Sequence, residues 1–131
     1  MAEERKHALL SASSAKRWIN CPPSARLSEA FPESTSDYAE EGTLAHDICE
    51  LKLRKLFIEP GMPEKTFKTA HNQLKKRGQY DPEMERYTDE YVDYIQKIAY
   101  SYPVPPKIVI EKEVHYGHVA RDGYGFSDCI I

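Results

Sequence analysis

The stretch Pro103-Val104-Pro105-Pro106-Lys107-Ile108-Val109-Ile110-Glu111-Lys112-Glu113-Val114-His115-Tyr116 is where the pattern of the chain changes. Before it, Met84, Tyr87, Tyr91, Ile95, Ile98 and Tyr102 recur at helical spacing. Asp81 can cap that helix, Pro82 fits its first turn, and the three prolines end it. After the prolines the period becomes two. Ile108, Ile110 and Val114 fall on one face, and Glu111, Glu113 and His115 on the other. A turn holding Asp122-Gly123 leads to a second strand, Tyr124 to Ile131, in which Tyr124, Phe126, Asp128 and Ile130 share a face. Helices first and a hairpin last give an α+β chain.

Working back towards the N-terminus, Ser36 or Asp37 can cap a helix running to about Ile58. Glu40 and Glu41 suit its positive first turn, and Leu44, Ile48, Leu51 and then Leu56 or Phe57 keep helical spacing. Glu59-Pro60-Gly61 stops it. Gly42 inside it costs up to ~1 kcal/mol relative to Ala, which points to a close approach or a kink. Met62 to Arg77 reads as a weaker, polar helix. Upstream, Ser11 is positioned to cap a short helix from Ala12 to Asn20 that carries Trp18 and Ile19. Cys21-Pro22-Pro23 breaks it, and Pro23 can open another through Leu27 and Ala30. The expected organisation is one domain over 1–131: residues 1–10 flexible, 11–102 mainly helical, 107–131 a β-hairpin.

The chain has 131 residues, the size of one domain. Its 18 basic and 21 acidic residues leave a net charge of −3, which excludes holding DNA by bulk charge. A nucleic-acid contact would have to be local or metal-mediated. Runs such as Lys75-Lys76-Arg77 read as solvated helix faces. Nine tyrosines suit core edges. No stretch approaches the ~20 apolar residues of a membrane span, and no apolar signal region follows the charged N-terminus, so a cytoplasmic location is expected. Cys21, Cys49 and Cys129 are three and far apart, which argues against a disulfide framework and against a zinc site within the chain.

Two places carry candidate chemistry. Asp128 lies in an apolar strand, where Asp is depleted and burial of an unpaired carboxylate costs several kcal/mol. It is expected to be a buried acid that is paired or metal-bound. His46 and Glu50 are spaced i, i+4 and share a helix face. An imidazole, a strand carboxylate and one further acid can hold a hard cation such as Mg²⁺ or Mn²⁺.

The order of three blocks resembles the RecB-like branch of the PD-(D/E)XK nuclease superfamily. The blocks are Lys16-Arg17-Trp18-Ile19-Asn20-Cys21-Pro22, then Tyr38-Ala39-Glu40-Glu41-Gly42-Thr43-Leu44-Ala45-His46, then Gly125-Phe126-Ser127-Asp128. More narrowly, the chain resembles an uncharacterised phage and prophage family of that type, over nearly its whole length. The resemblance implies a divalent-metal-dependent DNA nuclease (phosphodiester hydrolysis) with a restriction-endonuclease-like core, Mg²⁺ or Mn²⁺ as cofactor and DNA as partner. His46 and Asp128 match metal ligands. Asp128 and Glu50 match acids of the catalytic site, Glu50 with the less certain role.

The departures set further expectations. The superfamily continues into a strand bearing (Asp/Glu)-x-Lys, which is absent after Asp128. Glu50-Leu51-Lys52 has that spacing but lies on a helix before Asp128, and Glu111-Lys112 lacks the spacer. The core is therefore expected to be incomplete and inactive alone. The alternative is a non-catalytic module that keeps the fold and binds nucleic acid or a partner. Some RecB-like nucleases hold an iron–sulfur cluster through a Cys-Pro cysteine and three later ones. The four-cysteine set is missing here, so Cys21 is expected to be a buried structural thiol. The second strand is expected to expose an unpaired edge, inviting self-association or a partner strand.

Overall fold

The computed structural model describes residues 7–32 and 34–131. Among these residues five α-helices precede two antiparallel strands: α1 (Ala15–Asn20), α2 (Ser24–Ser28), α3 (Asp37–Leu53), α4 (Glu64–Lys75), α5 (Pro82–Tyr100), β1 (Val109–His115) and β2 (Tyr124–Ile130). The α+β class follows from this order. The chain forms two compact units. One lies within Met1–Ser34 and Lys112–Ser127, the other within Thr35–Glu111 and Asp128–Ile131.

The larger unit is built on α3, α4 and α5. Ser36 caps α3 by accepting from the Ala39 amide, and Asp81 caps α5 by accepting from the Glu83 amide, with Pro82 in the first turn. Leu44 and Ile48 of α3 meet Met84 of α5 in one buried cluster, bordered by Ala45, Leu74 and Tyr80. Leu53, Ile95 and Ile110 form a second, against which Phe57, Tyr91 and Cys129 pack. The stripe that α5 buries differs from the expected one. Met84, Thr88, Ile95 and Ala99 face inward, while Tyr87 and Tyr102 are exposed. The small Thr88 and Ala99 let the helix approach the core closely, Tyr91 packs at the edge of the second cluster, and the Tyr87 and Tyr102 rings stay outside.

The helix expected to reach Ile58 changes form at Leu53. Arg54–Ile58 is a single π-turn, closed by the Glu59 amide donating to the Arg54 carbonyl. The wider turn carries Phe57 onto the second cluster. The polar segment after it forms α4 over Glu64–Lys75, anchored through Lys55–Glu64 and Arg77–Asp47 ion pairs.

Gly42 does not mark a close approach within the chain. A β-carbon built there meets nothing within 4 Å. Gly42→Ala is therefore expected to raise stability by about 0.5–1 kcal/mol in urea unfolding, the ordinary helix-interior difference. A loss of stability would show that the position is sterically constrained after all.

In the smaller unit, α1 begins after Ser14 rather than Ser11, and neither serine caps it by its side chain. Ser11 acts differently: its carbonyl accepts the Trp18 indole N–H at 2.9 Å and its hydroxyl pairs with that of Ser14. Cys21 is exposed, which overturns the expectation of a buried thiol. It follows the last residue of α1, where the chain turns into Pro22-Pro23. Between the strands, the Tyr116 hydroxyl lies within hydrogen-bond distance of the Leu10 and Tyr124 carbonyls. Its ring passes so close to Gly123 that a β-carbon there would sit 2.4 Å from it, so glycine is required.

Among the described residues the sheet has two strands, and β2 pairs with β1 alone. Among the described residues no helix is long and apolar enough to cross a membrane.

Candidate metal centre

The site lies wholly in the larger unit. His46 projects from the middle of α3, held in place because Leu44 and Ile48 on either side of it are buried and fix the helix's rotation. Asp128 stands on β2, whose next residue, Cys129, packs on the core. Alternation along a strand then turns Asp128 to the opposite face. Its side chain is 56% exposed, so the expected buried acid is in fact an accessible one. The apolar neighbours that suggested burial divide between the two faces: Phe126 and Ile130 are exposed with Asp128.

His46 Nδ1 lies 3.3 Å from Asp128 Oδ1. The two residues that the resemblance matches to metal ligands thus lie side by side. The third member of the cluster reads in the sequence only as a failed acid-x-Lys. One ligand atom from each of His46, Glu111 and Asp128 lies within 4.8 Å of the others. Glu111 reaches the site through an unusual backbone. Its φ is 49°, the left-handed region that costs a non-glycine residue of order 1–3 kcal/mol. A strand residue in that conformation interrupts simple alternation. Val114, expected on the face of Ile110, is exposed, as are Lys112, Glu113 and His115 beside it. The sequence signal for it was faint: an acid directly after the apolar run Ile108-Val109-Ile110, with no apolar residue again until Val114.

Glu50 shares the cavity wall but is not part of this cluster. Its carboxylate accepts from Arg54 Nε at 2.7 Å, one turn along the helix. Lys52, the other half of the chance acid-x-Lys match, points away from the site and is clamped to α5 by Glu85, Thr88 and Asp89.

The cavity beside the cluster measures about 210 Å³ and is floored by Ala45, Cys49, Leu53 and Tyr91. Burial holds the Glu111 carboxyl above its ordinary range. The nearby Asp128 and Glu50 carboxylates add to that rise, and His46 offsets part of it. Burial likewise pushes the Cys49 thiol up to about 11 and raises that of Cys129. Both remain thiols at neutral pH and are poor ligands in that form. The donors on offer are thus one imidazole and two carboxylates.

A model of one family matches residues 7–131, a family described as a protein of unknown function (DUF2800). The chain belongs to the DUF2800 family. No solved structure matches it. In this DUF2800 member the chemistry on offer is that of one imidazole and two carboxylates.

That chemistry fits a hard divalent cation. The mutual spacing of the three ligand atoms suits donors placed ~2.0–2.6 Å from one common centre. The mutual repulsion of carboxylates around Glu111 is what a cation would relieve.

Proposed function

We propose that the chain supplies the metal-holding part of a Mg²⁺- or Mn²⁺-dependent DNA nuclease of the RecB-like PD-(D/E)XK type. The observation that carries the reading is the His46–Glu111–Asp128 cluster, in which a helix imidazole and two carboxylates from paired strands converge at the mouth of one cavity. This is the helix histidine and Gly-x-x-Asp pairing that the resemblance implies, with a second carboxylate added. Bound there, a divalent cation would polarise the scissile phosphate and lower the pKa of a bound water. The chain's own residues have simpler tasks. His46 and Asp128 present lone pairs from rigid elements. Glu111 completes the third side, and Cys49 and Tyr91 form a floor that keeps bulk water from one face of the site. Asp128 and His46 are both exposed, so a phosphate on an extended strand could reach the cluster.

A second reading, a non-catalytic module that keeps the fold and binds DNA or a partner, draws on two observations. No lysine lines the cavity among the described residues. Glu50, the acid nearest to a catalytic position, is engaged by Arg54.

The discriminating experiment follows fluorescein-labelled single-stranded and duplex DNA by anisotropy, in Ca²⁺ and in EDTA, with Mn²⁺ cleavage assays in parallel. DNA affinity is expected to rise at least about tenfold with Ca²⁺ and to lose that gain in Asp128→Asn, since the phosphate would be held through the cation. DNA binding that is indifferent to divalent metal would remove the nuclease reading. Metal-dependent binding without cleavage would favour the second.

A further inference from the structure

A second groove of about 430 Å³ runs between the N-terminal half of α3 and the first turns of α5. Its walls carry Tyr38, Glu41, Gly42, Asp81, Glu83 and Tyr87. Three of its features are unusual together.

First, the charged residues that line it, Glu41, Asp81 and Glu83, are all acidic. Five other acids of this unit do have a basic partner: Asp47 has Arg77, Glu50 has Arg54, Glu64 has Lys55, and Glu85 and Asp89 share Lys52. Among the described residues no lysine or arginine pairs with Glu41, Asp81 or Glu83. The Asp81 carboxylate accepts the Glu83 amide at the helix cap. Second, two large rings stand in solvent at the groove, Tyr38 with 85% and Tyr87 with 54% of its surface exposed. The Tyr87 ring already carries a guanidinium, that of Arg86, 4.7 Å from its centroid. Third, Gly42 holds the groove open. The chain places nothing within 4 Å of the missing β-carbon, although glycine inside a helix costs stability.

We propose that this groove binds a basic peptide segment of a partner protein. The partner's arginine or lysine side chains would lie across the faces of Tyr38 and Tyr87, with their cationic ends at Glu41, Asp81 and Glu83. Cation–π contact and unmatched carboxylates act on the same group, and the ring faces exclude water from one side of it. The lining charge decides against a nucleic acid strand, whose phosphates would be repelled by the same three acids. Its acids and rings are not members of the metal cluster, although the two cavities share Ala45 and Cys49 in their walls, and a peptide titration in EDTA reads this groove apart from the nuclease reading.

The test uses a fluorescein-labelled short peptide alternating arginine and serine, titrated with the whole chain in EDTA. Tyr38→Ala combined with Tyr87→Ala is expected to weaken binding about tenfold, roughly threefold for each exposed ring. Glu41→Gln with Glu83→Gln should weaken it comparably. The pair Glu59→Gln with Asp93→Asn, which removes the same charge elsewhere, should change it less than about twofold. Gly42→Leu places a branched side chain in the groove, and its β-carbon meets nothing within 4 Å. It should fold with an unchanged or raised melting temperature and still weaken binding about tenfold. The proposal is overturned if the wild type shows no binding, or if affinity follows net charge alone. It is also overturned if the tyrosine and glycine variants bind as well as the wild type. A single-stranded oligonucleotide that binds with the same tyrosine dependence would overturn it in favour of a nucleic acid site.

Discussion

Titration of Mn²⁺ is expected to raise the melting temperature of the chain, and Asp128→Asn, Glu111→Gln and His46→Ala should each abolish that rise. Binding to the native state alone stabilises by RT ln(1 + [L]/Kd), about 2.7 kcal/mol at a hundredfold excess over Kd. For a domain of this size that is roughly 5–10 °C. Calorimetry should show one strong site in the wild type. Loss of one of three ligands should weaken it at least about a hundredfold, because even groups that merely orient a ligand are worth 10–100-fold. The metal-free proteins provide a second readout with the opposite sign. Burial raises the Glu111 carboxyl most, and the like charges of Asp128 and Glu50 raise it further. Asp128→Asn removes one of them and should leave the metal-free stability unchanged or slightly higher. If the His46–Asp128 contact were only an ion pair, the same substitution would lower stability by up to ~1 kcal/mol and Mn²⁺ would not matter. Equal heats for the wild type and Asp128→Asn would remove the metal site.

What the sequence made legible here follows from what each pattern encodes. The change from helical period to period two behind Pro103-Val104-Pro105-Pro106 marks the α+β boundary, because binary patterning and proline are local signals. The caps at Ser36 and Asp81 are local as well. The pairing of His46 with Asp128 was accessible only through the order of the three blocks, since the two residues are far apart in sequence. Burial was the weakest inference. Asp128 was expected inside because its neighbours are apolar, but a two-stranded ribbon has two faces and only Cys129 and Ile131 turn to the core. Glu111 was invisible for a different reason. Its role depends on a left-handed φ within a strand, and nothing in the identity of a glutamate announces that conformation. The rotation of α5 escaped because residue size was followed, whereas close helix packing selected Thr88 and Ala99.

Lys52→Met is expected to destabilise the chain by about 2–3 kcal/mol, somewhat below the usual cost of breaking a buried ion pair. The Lys52 side chain is only 11% exposed, and its ammonium donates to Glu85, Thr88 and Asp89 at 2.7–2.9 Å. Methionine keeps the packing of the stem, so the loss isolates the charge. What remains is Glu85, also touched by the Tyr80 hydroxyl and facing His71 Nε2 at 2.7 Å, close enough for Coulombic attraction but not aligned as a hydrogen bond. Partial exposure of Glu85 and Asp89 keeps the cost at the lower end. The pH dependence has a definite sign. Burial alone would raise the Glu85 carboxyl, but hydrogen bonding and attraction from Lys52 outweigh it and lower it overall. A depressed carboxyl contributes stability above its unfolded pKa and loses it as pH falls through the folded one. For Lys52, burial opposes the charge, yet Asp89 and Glu85 raise its pKa overall. That contribution is complete below the unfolded pKa near 10.5 and is lost only as pH rises beyond the raised folded value. The stability difference between wild type and Lys52→Met should therefore be flat from about pH 5 to about pH 10 and shrink on either side. Urea unfolding at pH 3, 7 and 11 measures it. A difference that persists at pH 3 would show that Lys52 contributes by packing, and that the clamp joining α3 to α5 is apolar rather than ionic.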